Sequence, residues 1–294
     1  MDAPTPAAVL TSPVAEAPFR HLGALWVQVT GSWCNLQCRH CINASGPRAP
    51  WLAPMDAAEV RARVAEGVAL GVKELYFTGG EPFLHPEILP LLAFALERAP
   101  TTVLTNGTRI DEVTADRLAA LAAAARYSLE IRVSLDDPDR ARNDAVRGRG
   151  SFARALRAIR RLDARGLLPI LTATEVDPSP AGEGRYESLR RLLVQSGVRK
   201  PRVKILPLFP VGRMAGCGGG TVSPEMLDGI DPARLQCSDS RAVAAGGVYA
   251  CPILAGLPSA RLAVSSLADA LRPTPLSHPA CLVCWQTGAS CRNA

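Results

Sequence analysis

The 294 residues carry 33 Lys and Arg against 27 Asp and Glu, a net charge of +6, and 48% of them are hydrophobic. This suits one core of good size with a small appendage, and it lacks the basic stripe interleaved with aromatics of a nucleic-acid binder. No apolar run is long enough to span a bilayer, and the start Met1-Asp-Ala-Pro-Thr-Pro has no basic and apolar signal pattern, so a cytoplasmic location is expected, with neither membrane nor nucleic acid as partner.

Residues 1–24 are rich in Ala and Pro and read as a flexible lead-in. Strands and helices then alternate. The expected strands are Leu25–Thr30, Lys73–Thr78, Thr101–Thr105, Leu129–Leu135, Pro169–Val176 and Arg202–Leu208. The expected helices are Asp56–Leu70, Pro86–Arg98, Asp111–Ala125, Phe152–Arg165 and Tyr186–Gln195, the first with Asp56 near its N-cap. Apolar strands alternating with helices imply an α/β fold with a parallel sheet, closed in part as an open (β/α)6 barrel. Arg154, Arg157, Arg160 and Arg161 would line one solvated helix face.

The chemistry-bearing motifs follow strand ends, where such barrels place their sites. Cys34-Asn-Leu-Gln-Cys38-Arg-His-Cys41 follows the first strand. A C-x3-C-x2-C run offers three thiolates from one loop, one short of the four that close a [4Fe–4S] cluster, so one iron is left for a small chelating molecule. Gly79-Gly80-Glu81-Pro82 follows the second strand, Thr105-Asn106-Gly107 the third, and Ser134-Leu135-Asp136 closes the fourth. Gly79 and Gly80 permit close backbone approach. Ser134 and Asp136, two apart on a strand, face one side.

In this spacing and order the chain resembles the radical S-adenosylmethionine (radical SAM) superfamily, over about residues 25–294. The resemblance implies a [4Fe–4S] cluster on Cys34, Cys38 and Cys41 that binds SAM at its open iron. It assigns the methionyl amino group to Gly79, Gly80, Glu81 and Pro82, with Asn106 on the same rim. Ser134 and Asp136 would hold the ribose or carboxylate, Arg147 would reach the carboxylate, and His40 would lie against the adenine. Members commonly have Tyr after the third cysteine, where this chain has Ile42. The implied reaction is one-electron cleavage of SAM to methionine and a 5′-deoxyadenosyl radical, which abstracts a hydrogen atom. A flavodoxin or ferredoxin-type reductant is implied as partner.

Six further cysteines follow: Cys217, Cys237, Cys251, Cys281, Cys284 and Cys291. Cys281-Leu-Val-Cys284 is a half-site for zinc or iron–sulfur, and Gly246-Gly247 reads as a hairpin turn that brings Cys237 and Cys251 together. This part resembles the twitch domain, the short form of the SPASM extension. The resemblance divides the chain into a lead-in (1–24), a radical SAM core (25–212) and an auxiliary-cluster domain (213–294). It implies one auxiliary [4Fe–4S] cluster on Cys237, Cys251, Cys281 and Cys284; a partition with Cys291 in place of Cys251 fits the spacing equally.

Twitch enzymes include aminoglycoside-modifying members, so a carbohydrate substrate is expected, with Glu175, Asp177 and Glu183 as carboxylates for a polycationic sugar. A spare thiol, Cys251 or Cys217, suits a hydrogen donor, which favours epimerisation. The alternatives are alcohol dehydrogenation of an aminocyclitol with Arg213 as base, peptide maturation, and a SAM- and metal-binding scaffold without turnover. Maturases usually carry a leader-peptide recognition domain, for which the lead-in is short.

Overall fold

The computed structural model describes residues 14–48, 50–176 and 184–288. Eleven strands and seven α-helices occur among them. The strands are β1 (Glu16–Ala17), β2 (Ala24–Gln28), β3 (Glu74–Thr78), β4 (Thr101–Thr105), β5 (Leu129–Ser134), β6 (Ile170–Thr174), β7 (Arg202–Leu206), β8 (Ser240–Ala244), β9 (Gly247–Tyr249), β10 (Arg261–Leu262) and β11 (Thr274–Pro275). The helices are α1 (Ala57–Ala69), α2 (Ile88–Leu96), α3 (Glu112–Ala124), α4 (Arg140–Arg147), α5 (Ser151–Ala164), α6 (Arg185–Gln195) and α7 (Pro279–Thr287).

All six expected strands form and pair in parallel in chain order, β2 through β7. β8 lies parallel to the free edge of β2, in register from Ala24↔Ser240 to Val27↔Val243, and β9 and β10 follow antiparallel. The nine-stranded order β10-β9-β8-β2-β3-β4-β5-β6-β7 ends in two edges, so the sheet stays open. The expected hairpin is present, and its turn residue Gly246 has φ +78°, which a Cβ would strain. Its docking on β2 is not foreshadowed by any local pattern. A separate two-stranded sheet pairs β1 with β11.

Every residue of β2 is buried, as expected of a strand covered on both faces. The strand alternation sorts its side chains into two cores. Leu25 and Val27 join Leu75, Phe77, Val103, Ile131, Val133 and Leu171 under the helices. Ala24 and Trp26 join Tyr76, Ala242, Phe209 and Ile253 on the other face, where the C-terminal segment packs. There the Trp26 and Tyr76 rings stack at 4.1 Å with 10° between planes.

Helix starts follow aspartate caps. Asp56, Asp111 and Asp139 accept from the amides of Glu59, Thr114 and Arg142 at 2.7, 2.8 and 2.9 Å. α4 is unforeseen, because the residues it buries, Asn143 and Arg147, are polar and mark no apolar stripe. Among the described residues no helix is long and apolar enough to cross a membrane.

Candidate radical site

β2 delivers the chain to a loop whose own backbone holds its shape. The Cys34 amide donates to the Gly46 carbonyl and the Gly46 amide to the Ser32 carbonyl, each at 3.1 Å. Arg213 closes the loop from outside. Its guanidinium donates to the carbonyls of Cys38 (2.8 Å), Ala44 (3.0 Å) and Ser45 (2.5 Å). The neighbouring Gly212 has no room for a side chain, since a Cβ would fall 2.3 Å from the Cys41 and Ile42 oxygens. Arg213 therefore fastens the cysteine loop, which corrects its expected role as a base: its N–H groups are spent on carbonyls.

Cys34, Cys38 and Cys41 all line one cavity of about 210 Å3 above the strand ends. Cys34 Sγ accepts from the Leu36 amide at 3.4 Å and faces Asn106 Nδ2 at 3.7 Å, while Cys41 Sγ accepts from the Ser45 amide at 3.3 Å. Burial pushes the Cys34 thiol up to about 12 and raises Cys38 as well, with Arg147 opposing the shift at Cys38. Bare thiolates are thus disfavoured, and a metal bound there would supply the charge that lets them ionise.

The expected rim residues assemble here, with changes of role. Gly79 (φ +127°) and Gly80 line the cavity, and a Cβ on Gly80 would stand 2.1 Å from the Trp33 oxygen and 2.9 Å from Cys34 Cβ. Glu81 does not face the cavity. Its fully buried carboxylate accepts from Thr105 Oγ1 (2.7 Å), the Asn106 amide (2.7 Å) and the Phe83 amide (3.1 Å), so it braces the rim. Pro82 begins a short 3-10 turn behind it. Asn106 and Ser134 line the cavity.

Asp136, His40 and Arg147 were each expected against SAM, but their side chains converge on one another. His40 Nε2 lies 2.6 Å from Asp136 Oδ2, and Arg147 approaches the carboxylate at 2.6 Å through Nε and 2.9 Å through Nη2. The Thr174 amide adds a bond of 2.9 Å. Burial opposes ionisation of Asp136, but Arg147 and His40 outweigh it and hold its carboxyl below the usual aspartate range. Asp136 is therefore a buried hub that orients His40 and Arg147, and only these two line the cavity. Arg147 belongs to the last turn of α4.

Sequence reasoning missed Trp26, Asn43, Ser45 and Thr172. Their Nε1, Oδ1, Oγ and Oγ1 atoms are buried with no partner among the described residues, and all four residues line the cavity. Unpartnered buried polar groups in a cleft fit a polar ligand.

Cys237, Cys251, Cys281 and Cys284 line a second cavity of about 530 Å3, which shares Ile253 with the first. Burial raises all four thiols, Cys237 to about 12 and Cys281 to about 11. Arg241, also missed, is fully buried beside them. It donates to the carbonyls of Cys237 (2.7 Å), Ser240 (2.8 Å), Ala250 (3.4 Å), Ala270 (2.8 Å) and Arg272 (2.5 Å), and it has no ion pair with a described residue. Burial lowers its pKa to about 10, with Cys237 and Cys251 opposing. A buried cation without a carboxylate beside four thiols suits an anionic metal–thiolate group.

The expected hydrogen donors do not reach the first cavity. Cys217 is exposed, and Cys251 lines the second cavity. Cys291 lies outside the described residues, as do Asp177 and Glu183. The Glu175 amide donates to the Leu206 carbonyl at 2.9 Å, and its side chain is not in the wall. Among the described residues no three His, Cys, Asp or Glu groups converge tightly enough for a single metal ion. A four-iron cube takes its thiolates at separate irons, so such convergence is not required.

Residues 29–175, half of the chain, match the sequence profile of the radical SAM superfamily. Mycofactocin maturase MftC of Mycobacterium tuberculosis (strain H37Rv) is 32% identical over 163 residues, covering 53% of this chain and 40% of the relative. GTP 3′,8-cyclase of Mycobacterium ulcerans is 33% identical over 182 residues, covering 60% and 48%. The matches thus span less than half the length of these relatives. Among solved structures, Streptococcus suis SuiB bound to precursor peptide SuiA superposes with a TM-score of 0.60 at 17% identity, covering 87% of this chain and 66% of that one. The structure of anSMEcpe with AdoMet gives 0.54 at 19%, covering 84% and 75%. With the cysteine loop, the glycine rim and the parallel sheet in the matching order, the chain belongs to the radical SAM superfamily.

Proposed function

We propose that this chain is a radical SAM enzyme that modifies a peptide, with a [4Fe–4S] cluster on Cys34, Cys38 and Cys41 and an auxiliary cluster on Cys237, Cys251, Cys281 and Cys284, in a core over residues 25–212 and an auxiliary-cluster domain over 213–294. When bound, SAM and the first cluster supply hydrogen-atom abstraction from an unactivated carbon. Gly79 and Gly80 let the backbone approach the methionyl end of SAM. Ser134, Thr172, Asn43 and Ser45 offer it hydrogen bonds. Asp136 keeps Arg147 and His40 turned to the cavity. Leu104, Leu206, Phe209 and Ile253 keep water from the reacting carbon.

The observation that carries the peptide reading is the charge of the wall. Arg132, Arg147 and His40 line the first cavity, and no Asp or Glu among the described residues does. Glu130 and Asp136 neutralise the two arginines from behind the wall, which therefore offers a polycationic aminoglycoside no carboxylate among the described residues and accommodates a peptide segment. Among the described residues neither Cys217 nor Cys251 lines the first cavity, which takes away the support those two thiols gave to epimerisation. A relative named as a maturase and a fold neighbour solved with a precursor peptide support the same reading.

The test is anaerobic reconstitution followed by SAM, dithionite and the product of a short open reading frame beside the gene. The expected result is 5′-deoxyadenosine release that rises with the peptide, and a change in peptide mass. Release that rises instead with an aminoglycoside, with solvent deuterium in a redox-neutral product, overturns the peptide reading. Absence of 5′-deoxyadenosine under all conditions leaves only a binding scaffold.

A further inference from the structure

We propose that the arginine-rich outer face formed by α5 and the segment 107–111 docks an acidic one-electron-donor protein, which reduces the group on the first cysteine loop through Thr108, Asn106 and Asn35. The inference rests on membership of the superfamily and not on the peptide reading.

Arg154, Arg157 and Arg161 fall at helical spacing on one side of α5 and, with Arg109, line a surface cavity of about 260 Å3. Arg160, on the same helix, and Arg149, just before it, are exposed. The acids of this face are fewer than its arginines. Glu112 pairs with Arg161 at 2.6 Å and Arg165 at 2.9 Å, and Asp116 with Arg165 at 2.7 Å; Asp111, which also lines the cavity, accepts from the Thr114 amide at 2.8 Å, and Asp144 from the Gly150 and Phe152 amides at 2.7 and 2.8 Å. Arg109, Arg149, Arg154, Arg157 and Arg160 have no ion pair with a described residue. The surface therefore presents a surplus of positive charge, which selects an acidic partner and speeds its encounter.

Its position singles out the partner. Thr108 lies in the wall of this surface cavity and also touches the cysteine loop. Its Oγ1 accepts from Asn35 Nδ2 at 2.7 Å and donates to Asn106 Oδ1 at 2.6 Å. Asn106 Nδ2 then donates to Asn35 Oδ1 at 2.9 Å and faces Cys34 Sγ at 3.7 Å. Three side chains thus separate the arginine face from the first thiol. The two cavities share no lining residue, so the arginine face is distinct from the substrate cavity. In the step itself the donor loses one electron and the cluster gains one; no bond or proton changes at the surface.

The test uses reduced flavodoxin and reduced [2Fe–2S] ferredoxin as probes, with Arg157→Glu/Arg160→Glu in the full reconstituted chain. Arg61→Glu/Arg98→Glu, on a different helix pair, carries the same change in charge. Binding is measured by biolayer interferometry at low and high salt. We expect at least one probe to bind the unaltered chain, and R157E/R160E to weaken it about tenfold or more at low salt, as steering charges do. The difference should shrink at 0.5 M salt, roughly where screening reaches a few ångströms. Probe-driven 5′-deoxyadenosine formation should fall in parallel and dithionite-driven formation should hold. The proposal is overturned if neither probe binds, if R61E/R98E weakens binding equally, or if dithionite-driven formation falls as far as probe-driven formation. It is also overturned if the variant loses an acidic peptide while keeping both probes.

Discussion

Replacing Asp136 with Asn tests the buried hub. The exchange keeps the shape of the side chain and removes the charge that faces Arg147 at 2.6 and 2.9 Å. Both partners are almost fully excluded from solvent, Asp136 at 2% and Arg147 at 7% exposure, so the cation is left without compensation inside the protein. Breaking a buried pair from one side costs about 3–5 kcal/mol. At about 2–4 °C per kcal/mol for chains of this order, the melting temperature should fall by roughly 6–20 °C. Calorimetry on anaerobically handled protein measures it, and the double exchange Asp136→Asn/Arg147→Met should recover a large part of the loss. The pH dependence has a definite sign. The folded carboxyl is held below its ordinary value of 3.8, so the stability it contributes is present in full above that value. It is lost as the pH falls through the folded value, and the gap between the unaltered chain and D136N should narrow only in acid below 3.8. A melting shift below about 2 °C, or a double exchange no better than the single one, refutes the reasoning.

Gly80→Ala puts a methyl group 2.1 Å from the Trp33 oxygen. It should displace the Cys34 segment and cost about four irons per chain by colorimetric assay, with the far-ultraviolet circular dichroism unchanged. Arg213→Ala releases the carbonyls of Cys38, Ala44 and Ser45 and should loosen iron retention during gel filtration. The pH profile of turnover should keep its shape, whereas loss of a base would remove a limb. Cys251→Ala should lower bound iron, and Cys217→Ala should leave iron, SAM cleavage and product intact; the reverse pattern counts against the four-thiol assignment. Arg241→Met should reduce iron at the second cavity alone, because it unties the Cys237 and Ala250 carbonyls and leaves the first loop untouched.

What the sequence discloses is what lies close along the chain. The thiol spacing from Cys34 to Cys41, the glycine pair and the six strands are local patterns, and the structure places them as read. The polar hub is not local. Asp136 meets His40 across 96 positions, and nothing in either neighbourhood predicts that the two bond to each other before they bond to a ligand. Arg241 looks like an ordinary residue of the strand SRAVA, yet its five carbonyl partners come from three stretches of chain up to 31 positions away. Arg213 was visible, but its role depends on a loop 168 to 175 positions upstream. α4 was hidden because a helix of arginines, Asn and Asp has no apolar stripe to reveal it.

The pairing of β8 with β2 bears on how the chain is made. Ala24–Val27 is completed on one side by β3, some fifty positions later, and on the other only by Ser240–Val243. During synthesis the first parallel strand must wait with a bare row of amides and carbonyls until four-fifths of the polypeptide has left the ribosome. Such an edge is a site of mispairing between nascent chains. Slow translation, low temperature or a chaperone that shields this strand should therefore improve the soluble yield more than any change to the cysteine loops.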